Sequence, residues 1–146
     1  MSTLIDFSKI ISIKTMYEEM GEIKTRAEKV EVPVLSDLDL LSEVYRLFVG
    51  EVTSCGRNPS GHMCRREFLF IALYLYSPRS LAGSRLPNGL RDRLCSIMGI
   101  KSKSSISNSC LDLMFFYQEY KDFRENVDAI YERISNELLR NEKNEE

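Results

Sequence analysis

The 146-residue chain lacks the signatures of several common protein classes. It has no apolar run of eighteen residues, so no transmembrane helix is predicted. Its first residues, MSTLIDFSKII, include an acid and a lysine and no small-residue cleavage site, which argues against a secretory signal. It also has no glycine-rich phosphate loop and no zinc-protease histidine pair. These absences predict a cytoplasmic protein without a membrane partner.

Cysteine and histidine are too few and too poorly spaced to predict a metal site. No C-x-x-C spacing occurs, and His62 is the single histidine. A chain without a secretory signal is not expected to have a disulfide framework. We therefore predict no metal, no cofactor and four buried, reduced thiols, at Cys55, Cys64, Cys95 and Cys110.

Residues spaced as catalytic pairs or triads are also scarce. His62 stands alone in a glycine-flanked loop, and no cysteine has a basic partner at a fixed spacing. The neighbouring acids Glu18 and Glu19 are typical of a solvated helix face rather than of an acid/base pair. The sequence therefore predicts a protein that is not an enzyme.

What the chain does have is a large apolar fraction in helical patterns. Hydrophobic residues make up 43% of the chain, which is enough for a sizeable core. Their spacing follows the helical period, and no strand pattern is found. The prediction is an all-α fold of five to six helices. It comprises an N-terminal helical appendage (1–35), a main domain (36–140) and an acidic tail (141–146).

The segment HMCRREFLFIALYLY (62–76) predicts the central helix of the core. It is apolar on every face from Phe68 to Tyr76, as is typical of a helix surrounded by other elements. Ser77-Pro78 is expected to end it, and SPRSLAGSRLPNG predicts a long loop.

Two other helix starts are predicted from acidic side chains. One helix is expected from Ser36, with Asp37 and Asp39 in its first turn, where acids suit the helix dipole. The last helix is expected from Asp122, with Glu125 completing a capping box.

An apolar stripe on the N-terminal helix has more than one possible partner. Met16, Met20, Ile23, Ala27 and Val30 lie alternately four and three residues apart, which places them on one helix face. Two heptads are short for an independent coiled coil, so packing on the chain's own domain is the favoured interpretation. A homodimer seam or a protein partner bound by this helix is the alternative.

Residues 90–120 predict a helix-turn-helix, because a short helix, a turn of about four residues and a longer helix follow one another. Gly99 suits the position just after the first helix. The second helix of such a unit enters the major groove of DNA. Its buried stripe is expected to consist of Ile106, Cys110, Leu113, Met114 and Tyr117.

Charge is sorted along the chain. The net charge is −2, yet residues 57–103 carry nine basic and only two acidic side chains, and the flanking segments are net acidic. A polyanion is the usual partner of such a stretch. The alternative is a set of bases scattered over a solvated surface. Four arginines are assigned to such a rim, namely Arg79, Arg85, Arg91 and Arg93.

The serine-rich stretch GIKSKSSISNS (99–109) opens the second helix and carries most of the predicted DNA contacts. A helix N-terminus attracts phosphate, whereas an arginine placed there is unfavourable unless an anion binds beside it. The predicted phosphate contacts are Arg65, Arg66, Lys101, Lys103 and the serines Ser102, Ser104 and Ser105, of which Ser102 is best placed to cap the helix. Asparagine pairs with adenine at two points, and the predicted base-reading residues are Ser105, Ser107 and Asn108.

The order of these pieces resembles the C-terminal DNA-binding domain of the bacterial replication initiator DnaA, a Trp-repressor-like helix-turn-helix. RREFLFIALYLY matches the family's basic entry and hydrophobic helix, and LCSIMGIKSKSSISNS matches its short helix and G-R-D-H-S-T signature. DFRENVDAIYERI matches its last helix, so the resemblance spans roughly residues 40–135. Lys101 falls on the signature arginine, but Ser102 and Lys103 replace the aspartate and histidine. The resemblance therefore implies DNA binding at a different target sequence.

The sequence thus predicts a small, non-catalytic protein that binds double-stranded DNA. The resemblance implies a transcriptional regulator or a replication accessory of a bacterium or phage, without the initiator's ATPase activity. The alternative is a helical protein-interaction or structural module derived from a DNA-binding fold. The acidic flanks and the aromatic pair Phe115-Phe116 favour that alternative.

Overall fold

A computed structural model of the chain describes residues 6–30 and 33–145, and these ranges contain helices and no strand. The all-α prediction is confirmed. In chain order the helices are α1 (Phe7–Val30), a 3-10 turn (Leu38–Leu40), α2 (Leu41–Ser54), α3 (His62–Tyr76), α4 (Pro78–Leu81), α5 (Asn88–Met98), α6 (Lys103–Leu111), α7 (Leu113–Glu119) and α8 (Lys121–Glu145).

The chain divides into two compact units after Val32, close to the predicted boundary at residue 35. The first unit consists of α1, whose described side chains, at residues 7–26, are all exposed. Met16, Met20 and Ile23 are 58, 62 and 57% exposed. The side chains of Ala27 and Val30, which complete the predicted stripe, lie outside the described residues.

Helix α3 forms the centre of the second unit, as predicted. Ten of its fifteen residues are buried, because α2, α4, α6, α7 and α8 all pack against it. Phe68 is fully buried and contacts the rings of Tyr45 and Phe48 on α2 at 4.8 and 5.4 Å between centroids. Full burial of such side chains stabilises the fold by about 1.5–3 kcal/mol each.

One charged side chain lies inside this core. Glu67 of α3 is completely buried, and both of its carboxylate oxygens accept hydrogen bonds from Arg57, at 2.7 and 3.0 Å. Arg57 belongs to the loop between α2 and α3, and this contact raises the pKa of its guanidinium above the usual value. The pair therefore ties the loop to the central helix and compensates a carboxylate that has no access to water.

The predicted helix starts are wrong by one to five residues. Asp37 does not enter a first α-turn; its carboxylate caps the 3-10 turn by accepting a hydrogen bond from the backbone N–H of Asp39 at 2.9 Å, and α2 begins only at Leu41. Helix α8 begins at Lys121, so Asp122 lies within its first turn instead of capping it. Its C-terminal part remains helical to Glu145, where a frayed acidic tail was expected.

The loop predicted after α3 contains the short helix α4, whose first residue is Pro78. Proline is favoured at a helix start because its fixed φ suits the helix and its missing N–H has no partner there. The long helix predicted after Gly99 is two helices, since the chain leaves helical geometry at Asp112. The predicted stripe is nevertheless turned inward: Ile106, Cys110 and Leu113 are buried, and Met114 and Tyr117 are partly buried.

The thiol prediction is correct for three cysteines and wrong for Cys55, which is exposed at the end of α2. Burial raises the pKa of Cys110 to about 11. Within residues 6–30 and 33–145, no group of three or more His, Cys, Asp or Glu side chains is arranged to hold a metal ion. No helix in those ranges is both long enough and apolar enough to cross a bilayer.

The buried pair predicts a stability test. Arg57→Ala leaves the Glu67 carboxylate buried without its cation, so the free energy of unfolding should fall by about 3 kcal/mol. Arg46→Ala is the matched control, because Arg46 pairs with Glu43 on the surface of α2 and its removal should change little. Urea denaturation followed by circular dichroism measures both. Equal stability of the two variants would contradict the role assigned to Arg57.

Candidate nucleic-acid interface

Helices α5 and α6 and the turn between them have the predicted order. The turn comprises residues 99–102, and the two helices pack against each other. Gly99 adopts φ +67°, a left-handed conformation that glycine tolerates best. The N–H of Ile100 donates to the carbonyl of Cys95 at 3.0 Å, which closes α5 in a Schellman-type cap. Identification of this unit as a DNA-reading helix-turn-helix stays a prediction.

The start of α6 is capped as the serine pattern suggests. Ser102 has an extended backbone, and its hydroxyl oxygen accepts a hydrogen bond from the N–H of Ser105 at 3.4 Å. A second hydrogen bond, 3.2 Å long, joins the hydroxyls of Ser102 and Ser104. Ser102 is therefore the N-cap of α6, and the remaining hydroxyls at this end are available for other contacts.

The nine residues of α6 divide into an inner and an outer face. Ile106 and Cys110 are buried in the core and fix the helix against the unit. Ser105 and Asn108 are exposed, whereas Ser107 is partly buried. The predicted base-reading residues Ser105 and Asn108 thus lie on the solvent side of α6.

A concavity of about 530 Å³ lies beside α6, between that helix and the segment from α4 to α5. Its wall includes three basic side chains, Arg85, Arg91 and Lys103. Four serines also line it, namely Ser80, Ser84, Ser104 and Ser107, of which Ser80 is buried with its hydroxyl hydrogen-bonded to that of Ser77. Cations with short hydroxyl donors are the groups that bind phosphate oxygens in proteins.

Arg85 and Arg91 were assigned to a solvated rim; both line this concavity, where Arg85 is exposed and Arg91 is partly buried. A sequence signal for Arg91 was present, since it lies in the first turn of α5, which contains no acid. A base at that end of a helix is unfavourable with the dipole.

The charge of the concavity is only partly compensated within the fold. The carboxylate of Asp92 is 3.1 Å from Nζ of Lys103 and 3.8 Å from Nε of Arg91, so two bases share one acid. The Nε atom of Arg91 is buried and has no hydrogen-bond partner among the described residues. A buried cationic donor without a hydrogen bond is costly, and an anion within hydrogen-bond distance of this guanidinium lowers that cost.

Several other bases of the central segment already have partners elsewhere. Arg93 donates to the carboxylate of Asp39 at 2.8 Å. Arg66 lies over the ring of Phe116, with its guanidinium carbon 4.5 Å from the ring centroid. The positive charge of residues 57–103 is therefore divided over more than one surface, and the concavity holds only part of it.

Arg65 and Arg66 do not join the concavity. They lie near the N-terminus of α3, whereas Ser80 in the concavity wall follows its C-terminus, and the α3 segment from Arg66 to Tyr76 is about 15 Å long. Lys101 is exposed in the turn and does not line the concavity. The structure thus brings together Lys103, Ser104 and Ser107 with Arg85 and Arg91.

An apolar cleft of about 450 Å³ lies between α3, α4, α7 and α8. There the ring of Tyr117 stacks on Phe70 at 4.7 Å, and its hydroxyl donates to Asp128 at 2.7 Å, which raises the pKa of Tyr117. The lining includes one carboxylate and no basic residue. This cleft therefore does not suit a phosphate and is not part of the candidate interface.

Comparisons with protein-family models, curated proteins and solved structures find no match to the chain. The resemblance to the DnaA C-terminal domain therefore rests on the quoted residues, and it stays a prediction.

Stability measurements test the capping role of Ser102 independently of any contact that this residue makes with a ligand. Ser102→Ala removes the acceptor for the Ser105 N–H and should lower the free energy of unfolding by about 1 kcal/mol. Ser102→Asp retains a capping oxygen and adds a favourable charge at the helix N-terminus, so stability should stay within about 0.5 kcal/mol of the original. Thermal and urea unfolding measure both variants. A loss of stability in Ser102→Asp equal to that in Ser102→Ala would contradict the capping assignment.

Proposed function

We propose that the chain is a small, non-catalytic protein that binds double-stranded DNA through α6 and the basic concavity beside it. Phosphate groups of the duplex bind Arg85, Arg91 and Lys103, and the exposed face of α6 contacts base edges through Ser105 and Asn108. The resemblance to the DnaA C-terminal domain supports a role in transcriptional regulation or replication in a bacterium or phage.

The concavity is the observation that carries the proposal. It combines three cations, one of which is the incompletely compensated guanidinium of Arg91, with several serines next to the N-terminus of α6. Each of these features favours phosphate. The apolar cleft elsewhere in the unit has none of them.

The shape of α6 supports the proposal as well. Between Lys103 and Leu111 its exposed side chains are short, namely those of Ser104, Ser105, Asn108 and Ser109, so this part of the backbone can approach the floor of a major groove about 12 Å wide. The buried Ile106 and Cys110 keep the helix fixed while these side chains stay exposed. Lys101 in the turn and Arg65 near the start of α3 supply two further cations for phosphates outside the concavity.

A protein-binding role is the second candidate, and exposed apolar residues near α6 favour it. Leu111, the last residue of α6, is 77% exposed, and Phe115 of α7 is 54% exposed. Large exposed apolar side chains are common at protein interfaces. If DNA does not bind, this surface is the first place to look for a protein partner.

The DNA proposal is tested by fluorescence anisotropy of a labelled random-sequence duplex at several salt concentrations. Five cations (Arg65, Arg85, Arg91, Lys101 and Lys103) neutralising five phosphates give a logarithmic salt slope near −4 to −5. Arg91→Gln should weaken binding and make the slope shallower by about one. Arg93→Gln is the matched control on the same helix, because Arg93 is held by Asp39 away from the concavity. No binding at low salt, or equal effects of the two variants, would contradict the proposed interface.

Base reading by α6 predicts a loss of DNA affinity that depends on the DNA sequence. Asn108→Ala should weaken binding to selected sequences by about 1–3 kcal/mol and leave random-sequence binding nearly unchanged, because a base contact acts only on its preferred base. Selection of preferred sites with the original protein and with the variant measures the effect. If the variant selects the same sites as the original protein, Asn108 does not contact bases and the prediction is wrong.

A further inference from the structure

Helix α1 presents large apolar side chains to solvent over most of its length. Ile13, Met16, Met20 and Ile23 are between 43 and 62% exposed. A single solvated helix is marginally stable in water, because most helical stability in proteins comes from packing of an apolar face. A 24-residue helix with this surface therefore needs a partner.

These four residues follow a heptad register. Ile13 and Met20 are seven residues apart and take position a, and Met16 and Ile23 take position d. The sequence continues the register with Ala27 at a and Val30 at d. A stripe of a and d positions is the narrow seam by which two helices pair with each other.

The charges beside the seam are complementary to those of a second copy. Glu19 and Arg26 take position g, and Lys24 takes position e. In a parallel pair Glu19 faces Lys24 of the partner subunit, and in an antiparallel pair it faces Arg26 of the partner subunit. Both orientations place opposite charges together, so the same chain is an electrostatically suitable partner.

We propose that two copies of this chain form a homodimer by pairing their α1 helices along Ile13, Met16, Met20 and Ile23. The occupant of the exposed seam is thus α1 of a second copy. This inference does not rest on DNA binding, since it uses only residues of the first unit. It assigns a role to the segment that the proposed interface leaves unused.

The first test is sedimentation velocity of the full chain over a range of concentrations. The original protein should show a reversible monomer–dimer equilibrium. Met20→Glu places a charge in the seam and should raise the dissociation constant by at least about tenfold. Ile11→Glu is the matched control, because Ile11 and Met20 are both 62% exposed and lie about 180° apart around the helix. Its dissociation constant should be unchanged.

A charge exchange provides a second, independent test. Glu19→Lys should weaken the dimer in either orientation, because it places two cations together. Combining it with Lys24→Glu should restore a parallel dimer, and combining it with Arg26→Glu should restore an antiparallel one. Restoration by one of the double variants supports the proposal and gives the orientation of the helices.

Three outcomes would overturn the proposal. The first is a monomer at every concentration, and the second is equal weakening by Ile11→Glu and Met20→Glu. The third is no restoration by either double variant. Urea unfolding of each variant shows whether the second unit remains folded, and Met20→Leu should retain the dimer because it keeps an apolar side chain in the seam.

Discussion

Helix α3 is buried on nearly every face, and the orientation of the other helices in the second unit depends on that burial. Its apolar side chains contact α2, α4, α6, α7 and α8, so each of these helices must turn an apolar face inward. For α6 this requirement is met by Ile106 and Cys110, which leaves the serines and Asn108 directed away from the core. The polar face of α6 is thus a consequence of how the core is built.

Burial of Glu67 in the same helix imposes a second constraint. A carboxylate without water requires a cation, and Arg57 supplies it from the preceding loop. One of the nine bases of the central segment is therefore structural. Arg93 and Arg66 are also held, by Asp39 and by the ring of Phe116. The net charge summed along a sequence overstates the positive charge available to a ligand, because the sum includes basic residues that already have partners within the fold.

The sequence predicts those features that depend on local patterns. The central helix, Gly99 at the end of α5 and the Ser102 cap follow from helical period and capping chemistry, which act within a few residues. The buried Glu67 was not predicted, because its partner Arg57 is ten residues away and their contact depends on how the loop folds. The break at Asp112 was not predicted because the apolar period continues through it from α6 into α7.

The candidate site could be only half predicted from the sequence. Lys103, Ser104 and Ser107 were identified because they follow one another in a single helix. Arg85 and Arg91 come from another element, and their approach to α6 depends on tertiary structure. Arg65 and Arg66, although close in the sequence to the hydrophobic helix, lie toward the other end of it. Proximity in sequence predicts one element of a site well and the assembly of several elements poorly.

The two proposals complement each other in energetic terms. Helix α6 exposes serines and one asparagine, and serine discriminates weakly among bases. In the proposed complex, one copy of this helix therefore discriminates little among DNA sequences, and the affinity comes mainly from phosphate contacts, which do not depend on base identity. Pairing two chains through α1 couples two such helices, and the second then binds at a high effective concentration. Together the two proposals predict selective binding to paired half-sites, which neither proposal predicts alone.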